Sequence, residues 1–280
     1  ADAMLDIPAL FLVAIVQGIT EFLPVSSSGH LVLLPQLTHF DDQGQTIDVA
    51  AHIGTLAAVM VYVRRDIFNM LASLTRPVSS AAPHRRLIAL LVVASLPVIM
   101  AGFLLEMAGP EFLRAALIVA IANLIFALWL WKADKCEISR DLTAQDSTQP
   151  EWQKMPFKHA VYIGLAQIFA LIPGASRSGV TMTMARQLGY DRLSAARFSL
   201  LLSLPVIAGA GLLKAISIYK GDTSVDMAAI VLVAGLSFIF ALLAIRWMMG
   251  WLAHANFRIF VVYRIILGIV LIGLIATGSL

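Results

Sequence analysis

"QGITEFLPVSSSGHLVLL", Gln17 to Leu34, is the stretch on which the fold turns. Glu21, three serines, Gly29 and His30 lie between two apolar arms, each shorter than the roughly 20 residues needed to cross a bilayer. One helix through the whole stretch would carry Pro24 and a Ser/Gly cluster at mid-membrane. Pro24 has no N–H to give and breaks a helix. Irregular backbone at that depth persists only when it is buried in protein or lines a wet cavity. The stretch therefore predicts a re-entrant helical hairpin over about residues 9–37. Ser27 or Ser28 is the expected N-cap of the returning helix. That helix start places backbone N–H groups and a positive dipole end at the tip, suited to an anion.

Working outward, the composition is that of a membrane protein. The 280 residues are 60% hydrophobic and 13% charged, with a mean hydropathy of +0.87, whereas soluble domains carry roughly a quarter charged residues. Long unbroken apolar runs, not alternating ones, exclude a β-barrel. Six segments have spanning length: Ile47 to Val63, Leu87 to Leu105, Ala115 to Trp131, Leu193 to Leu213, Met227 to Met249 and Ile259 to Thr277. The run after Ala9 lacks a basic n-region and a small-residue cleavage site, so no cleavable signal peptide is expected. The single Cys136 excludes an intrachain disulfide and a cysteine metal cage.

A second polar-centred segment, about residues 158–188, repeats the device. Gln17, Ser26, Ser28 and Gly29 match Gln167, Ser176, Ser178 and Gly179 at one offset, and Pro24 finds Pro173 with a one-residue gap. Each motif precedes three spanning segments, so the two units have opposite orientation, as in transporters built from inverted repeats. The expected fold is an all-α integral membrane protein with six transmembrane helices plus two re-entrant helical hairpins in an inverted-topology repeat. Residues 1–131 form the first repeat, 132–157 a cytoplasmic loop and 158–280 the second repeat, in a single membrane domain. A loop from Arg64 to Arg86, carrying Arg64, Arg65, Arg76, Arg85 and Arg86, then shares one side with Lys132, Lys135, Arg140, Lys154, Lys158, Arg186, Arg192, Arg197, Arg246 and Arg258. The other side holds Arg114, Lys214 and Lys220 among Asp2, Asp6, Asp41, Asp42, Glu106, Glu111, Asp222 and Asp226. The positive-inside rule puts the first side in the cytoplasm and the first hairpin outside.

The polar residues of the two tips suit phosphate chemistry. Arg177 lies deep in a membrane segment, where an arginine marks function by default, and its planar fork matches phosphate oxygens. Ser26, Ser27, Ser28, Ser176, Ser178 and Thr181, with the Gly29 and Gly179 helix starts, can converge on one polyanion. A serine attacks phosphorus when a neighbouring base takes its proton, and His30 can be that base or protonate a leaving oxygen. Glu21, sharing a helix face with Gln17, can orient the histidine, pair structurally with Arg177, or join Gln17 in holding a hard divalent cation. His52 lies early in a spanning segment and could face the cavity, with structural packing the favoured reading. Arg264 either lines a polar cavity or snorkels. The tryptophans Trp129, Trp131, Trp152, Trp247 and Trp251 mostly fall near segment ends, as an aromatic belt.

At these residues the chain resembles the undecaprenyl-diphosphate phosphatases of the bacitracin-resistance type. That family carries (E/Q)xxxE followed by PxSSxGH, here "QGITEFLPVSSSGH" from Gln17 to His30, and PGxSRSGxT, here "PGASRSGVT" from Pro173 to Thr181. Gln17 stands where many members have Glu, so position 17 is not read as an essential carboxylate. The resemblance implies removal of the terminal phosphate from a C55 polyprenyl diphosphate, which recycles the lipid carrier of peptidoglycan synthesis and underlies bacitracin resistance. It implies a divalent cation, Mg²⁺ or Ca²⁺, and a site built from Glu21, Ser27, His30 and Arg177, with either Ser27 or His30 as nucleophile. It places the protein in the bacterial inner membrane as a multi-pass chain, its site open to the periplasm. The implied partners are the polyprenyl diphosphate and membrane lipids, with a second copy of the chain as a candidate and no nucleic acid. The other membrane lipid-phosphatase class resembles KxxxxxxRP, PSGH and SRxxxxxHxxxD, but Thr183 occupies the place of its second histidine. A polyprenyl-phosphate transporter or flippase on the same scaffold, alone or combined with phosphatase activity, is the alternative of another class.

Overall fold

The computed structural model describes residues 7–38, 44–75, 77–108, 115–139, 152, 154–219 and 227–278. These are helical, with no strand among the described residues. The helices are α1 (Ile7–Thr20), α2 (Ser27–Thr38), α3 (Gly44–Tyr62), α4 (Arg64–Thr75), α5 (Val78–Ala108), α6 (Ala116–Asp134), α7 (Phe157–Gln167), α8 (Arg177–Gln187), α9 (Arg192–Tyr219), α10 (Met227–Leu252) and α11 (Arg258–Ala276). Five of them, α5, α6, α9, α10 and α11, are long and apolar enough to cross a membrane. The pair α3 and α4, bent by 76° at Val63, makes a sixth if the pair counts as one span. Each predicted spanning segment thus lies on a helix.

Both polar-centred segments are broken where proline and small residues predicted. In the first, α1 ends at Thr20, whose hydroxyl donates back to Val16 O at 2.6 Å, and residues 21–25 form a turn before α2. In the second, α7 tightens into a 3₁₀ turn over Ile168–Leu171 before Pro173 and Gly174. Gly174 has φ +96°, and a Cβ there would sit 2.4 Å from Val119 O, so the position admits only glycine. The returning helices start alike. Ser26 and Ser176 both adopt left-handed backbone, φ 75° and 73°, a conformation few non-glycine residues hold without compensation. Each hydroxyl accepts from an N–H three residues on: Gly29 N–H to Ser26 Oγ at 3.2 Å, and Gly179 N–H to Ser176 Oγ at 3.0 Å. The cap of α2 is therefore Ser26, not Ser27 or Ser28 as the sequence suggested. Moving the cap forward frees the Ser27 hydroxyl for other use.

The helices pack at close range through small residues, as membrane helices do. α1 lies on α10 and α7 on α5, while α3 packs on α10 and α9, and α6 on α11. A Cβ added to Gly54 would fall 2.1 Å from Ala234 O, and one at Gly164 would fall 2.6 Å from Ala94 O. Gly54→Ala must push α3 and α10 apart, at about 1–3 kcal/mol. It is expected to lower the thermal inactivation temperature in detergent. Gly235→Ala, with open space around it, is the matched control and should not; equal behaviour of the two variants would count against tight α3–α10 packing.

Two expectations need correction. The stretch from Arg64 to Arg86 is not a loop: α4 fills half of it, apolar at Ile67, Met70, Leu71 and Leu74, the spacing of one helix face. Asp66 anchors α4 to α9 through Arg197 Nη2, which donates to its oxygens at 3.0 and 3.2 Å. Trp152 is buried under the Arg197 guanidinium, not at an interface. Among the charges used to orient the chain, Asp2, Asp6, Arg76, Asp41, Asp42, Glu111, Arg114, Arg140, Lys220, Asp222 and Asp226 lie outside the described residues, as do the side chains of Glu106 and Lys214.

Candidate functional site

The two turns meet beneath a core that includes Phe22, Leu90, Ile163 and Leu201. Ser178 Oγ, at the start of α8, donates to Leu23 O in the first turn at 2.9 Å. Arg264 of α11 reaches both turns. Its Nη1 donates to Pro24 O at 3.3 Å, and its Nη2 to Gly174 O at 2.8 Å and Ala175 O at 3.0 Å. Its Nε donates to Asn123 Oδ1 at 2.9 Å, and Asn123 Nδ2 returns a bond to Arg264 O at 2.7 Å. Arg264 is 0% exposed, so it neither snorkels nor lines an open cavity.

Glu21 is the centre of the cluster. Its Oε2 accepts from Ser27 Oγ at 2.7 Å and from Gln17 Nε2 at 2.9 Å. Its Oε1 accepts from Arg177 Nη2 at 3.1 Å, an ion pair between side chains 7% and 12% exposed. A buried charge is tolerated when paired and hydrogen-bonded, and here the acid comes from one turn and the arginine from the other. Arg177 also donates to Ser199 O at 3.3 Å and lies over the Phe22 ring. A serine hydroxyl donating to a buried carboxylate, beside a guanidinium with further N–H groups to offer, is an arrangement that can supply a nucleophile, a base and an anion clamp within one contact shell.

The remaining candidates divide. Ser26 and Ser176 cap the returning helices, Gly29 and Gly179 supply the capped N–H groups, and Ser176 Oγ lies 3.2 Å from Ser178 Oγ. Thr181 Oγ1 bonds back to Arg177 O and across to Ser199 Oγ at 2.7 Å. Their hydroxyls brace the turns on which Ser27 and Arg177 sit. The Ser28 side chain lies outside the described residues. His30, one turn beyond Ser27, points elsewhere: Nδ1 is 2.6 Å from Ser26 O, and Nε2 is 2.5 Å from the Tyr263 hydroxyl.

Sequence reading misses Tyr263 and Asn123 and leaves the roles of His52 and Arg264 open. His52 is not mere packing: its Nδ1 donates to Asp48 O at 2.7 Å, and its Nε2 lies 4.0 Å from Glu21 Oε2. Tyr263, Arg264 and Asn123 arrive from α11 and α6. For Arg264 a signal existed, a charge inside an apolar run; nothing local marks Tyr263 and Asn123.

A divalent cation needs oxygen donors. Among the described residues, no three His, Cys, Asp or Glu side chains gather at ligand distance. Glu21 is the one carboxylate of the cluster described above, and Gln17 adds Oε1, buried without a hydrogen-bond partner. Gln167 has the same orphan oxygen without a carboxylate, so the orphan alone proves little. One carboxylate with one amide oxygen fits a magnesium ion that arrives largely held by phosphates, not a dedicated cage.

The family described as bacitracin resistance protein BacA matches residues 10–270. A protein of Maricaulis maris named undecaprenyl-diphosphatase is 46% identical over 269 residues, covering 94% of this chain and 97% of its own. Proteins of the same name from Ruegeria pomeroyi and Alteromonas mediterranea are 43% and 42% identical, over 95% and 94% of this chain and 97% and 96% of theirs.

Proposed function

Because the chain belongs to the BacA bacitracin resistance family, we propose that it hydrolyses the terminal phosphate of undecaprenyl diphosphate, giving undecaprenyl phosphate and inorganic phosphate. The observation that carries the mechanism is the 2.7 Å contact from Ser27 Oγ to Glu21 Oε2. Ser27 Oγ attacks the terminal phosphorus as its proton passes to Glu21. The bond from that phosphorus to the bridging oxygen breaks, and undecaprenyl phosphate leaves. Water then attacks the phosphoserine and keeps both its protons on the phosphate it forms, the Oγ–P bond breaks, Glu21 returns its proton to Ser27 Oγ, and dihydrogen phosphate departs. Arg177 exchanges part of its hold on Glu21 for phosphate oxygens and stabilises the charge that develops there. Glu21 and Gln17 Oε1 are the residues that would hold a Mg²⁺ or Ca²⁺ ion, which when bound would supply neutralisation of charge on the diphosphate.

The setting is a bacterial inner membrane, with the site open to the periplasm and the lipid tail leaving between helices. Both hairpins re-enter from the side they face. Residues 1–131 and 158–280 form inverted repeats around the 132–157 loop. What supports this is the matched turns, each with a left-handed serine capping a glycine three residues on, and the matched packing of α1 on α10 and α7 on α5. The transporter alternative explains the repeat but leaves the Ser27–Glu21 contact without a purpose.

The test is phosphate release from a C55 polyprenyl diphosphate by purified protein in detergent with Mg²⁺. Wild type is expected to turn over, and Ser27→Ala to lose about three orders of magnitude or more. Trapping with substrate should put phosphate on Ser27 by mass spectrometry. An inert wild type would sink the activity, and label on His30 would reassign the nucleophile.

A further inference from the structure

His30 is usually approached through its proximity to Ser27 in the chain, yet its ring is turned to a different partner. A backbone carbonyl can only accept, so the 2.6 Å contact with Ser26 O fixes the hydrogen on Nδ1. The basic nitrogen is then Nε2, and it is covered by the Tyr263 hydroxyl at 2.5 Å. The two rings lie nearly parallel, 12° apart in plane. Tyr263 is itself well placed. The next residue, Arg264, is bonded to Pro24 O, Gly174 O and Ala175 O, so the α11 backbone at Tyr263 is registered to both turns. The cavity beside His30 is lined by Leu33, Val119, Leu267 and Leu271. Its polar members are already engaged, Asn123 with Arg264 and Ser26 Oγ with Gly29 N–H.

We propose that Tyr263 is a positioning residue for His30. Its hydroxyl donates to Nε2, the nitrogen that Ser26 O leaves with a free lone pair, and keeps the ring turned toward α11. Ser27 is consequently served by Glu21 alone in the resting site. His30 joins the reaction by exchanging the phenol for substrate or water with its lone pair already on the required nitrogen. This rests on the phosphatase reading above and on His30 taking part in it.

The experiment compares wild type, Tyr263→Phe, His30→Gln and the double variant in phosphate release. It adds ¹⁵N spectra of histidine-labelled protein in micelles. Removing one hydrogen bond that holds a catalytic ring should lower kcat about tenfold, with KM within about twofold. The same change in the His30→Gln background should add no further loss, because the two residues act as a unit. In Tyr263→Phe the Nδ1–H form should persist, held by Ser26 O, while the ¹⁵N signal of the unprotonated His30 Nε2 moves downfield as it loses its donor. An unchanged Nε2 signal, or an equal loss in both backgrounds, overturns the proposal. Full turnover of His30→Gln overturns His30's part in the reaction and this proposal with it. A simultaneous loss in Ser27→Ala would leave the phosphatase reading standing.

Discussion

Arg177→Ala is expected to lower turnover of the polyprenyl diphosphate by about 10³-fold or more, the scale at which an arginine facing a transferring phosphoryl group acts. Two losses combine. The phosphate forfeits its charge-assisted donors, and Glu21 becomes a buried carboxylate without its ion-pair partner, now held only by Ser27 Oγ and Gln17 Nε2. An unpaired carboxylate in that setting favours taking up a proton, and a protonated Glu21 cannot serve Ser27 as base. Arg177→Lys separates the effects. It keeps the positive charge but cannot span Glu21 Oε1 and Ser199 O as one planar fork does, so it should recover only part of the rate. Glu21→Ala should fall as far as Arg177→Ala. The measurement is kcat with circular dichroism to show that the helices persist. Wild-type rates in both alanine variants would mean the chemistry lies elsewhere.

The largest structural effect is expected at Arg264. Arg264→Met keeps much of the volume and the apolar stem but strands Pro24 O, Gly174 O, Ala175 O and Asn123 Oδ1. Each buried acceptor without a partner costs about 1–3 kcal/mol, so the sum is on the order of 5 kcal/mol. At roughly 2–4 °C per kcal/mol for a chain of this size, thermal inactivation in detergent should come at least about 10 °C earlier. Turnover should fall with it, because the two turns lose their common partner. Retention of both stability and rate in Arg264→Met would contradict the role assigned to this side chain.

How much of this could be read from the sequence follows from the range of each interaction. Pro24 and Pro173 with their serines and glycines act locally, so the broken helices are legible, as are five of the six apolar spans, the sixth being the bent α3–α4 pair. Pairing Glu21 with Arg177 was also within reach, because each sits alone in an apolar surrounding and needs an opposite charge. The cap was misplaced by one residue because three consecutive serines fit the rule equally well. The left-handed backbone of Ser26 that selects among them carries no sequence mark. The bend at Val63 escaped notice because α4 begins with Arg64 and Arg65, which read as the end of a span. His52, Tyr263 and Asn123 join the site across separations that no periodicity records; His30 and Tyr263 stand 233 residues apart.

The hold of Arg264 on both turns also sets a rule for how this protein can move. A rocking transporter separates its halves along a plane through the substrate site. Here one guanidinium crosses that plane and binds backbone oxygens on either side, with the Ser178 hydroxyl on Leu23 O as a second stitch. Opening along that plane would break these buried bonds together. The cheaper motions leave the turns fixed and shift what surrounds them, which suits a catalyst whose substrate slides in from the bilayer and whose product slides back.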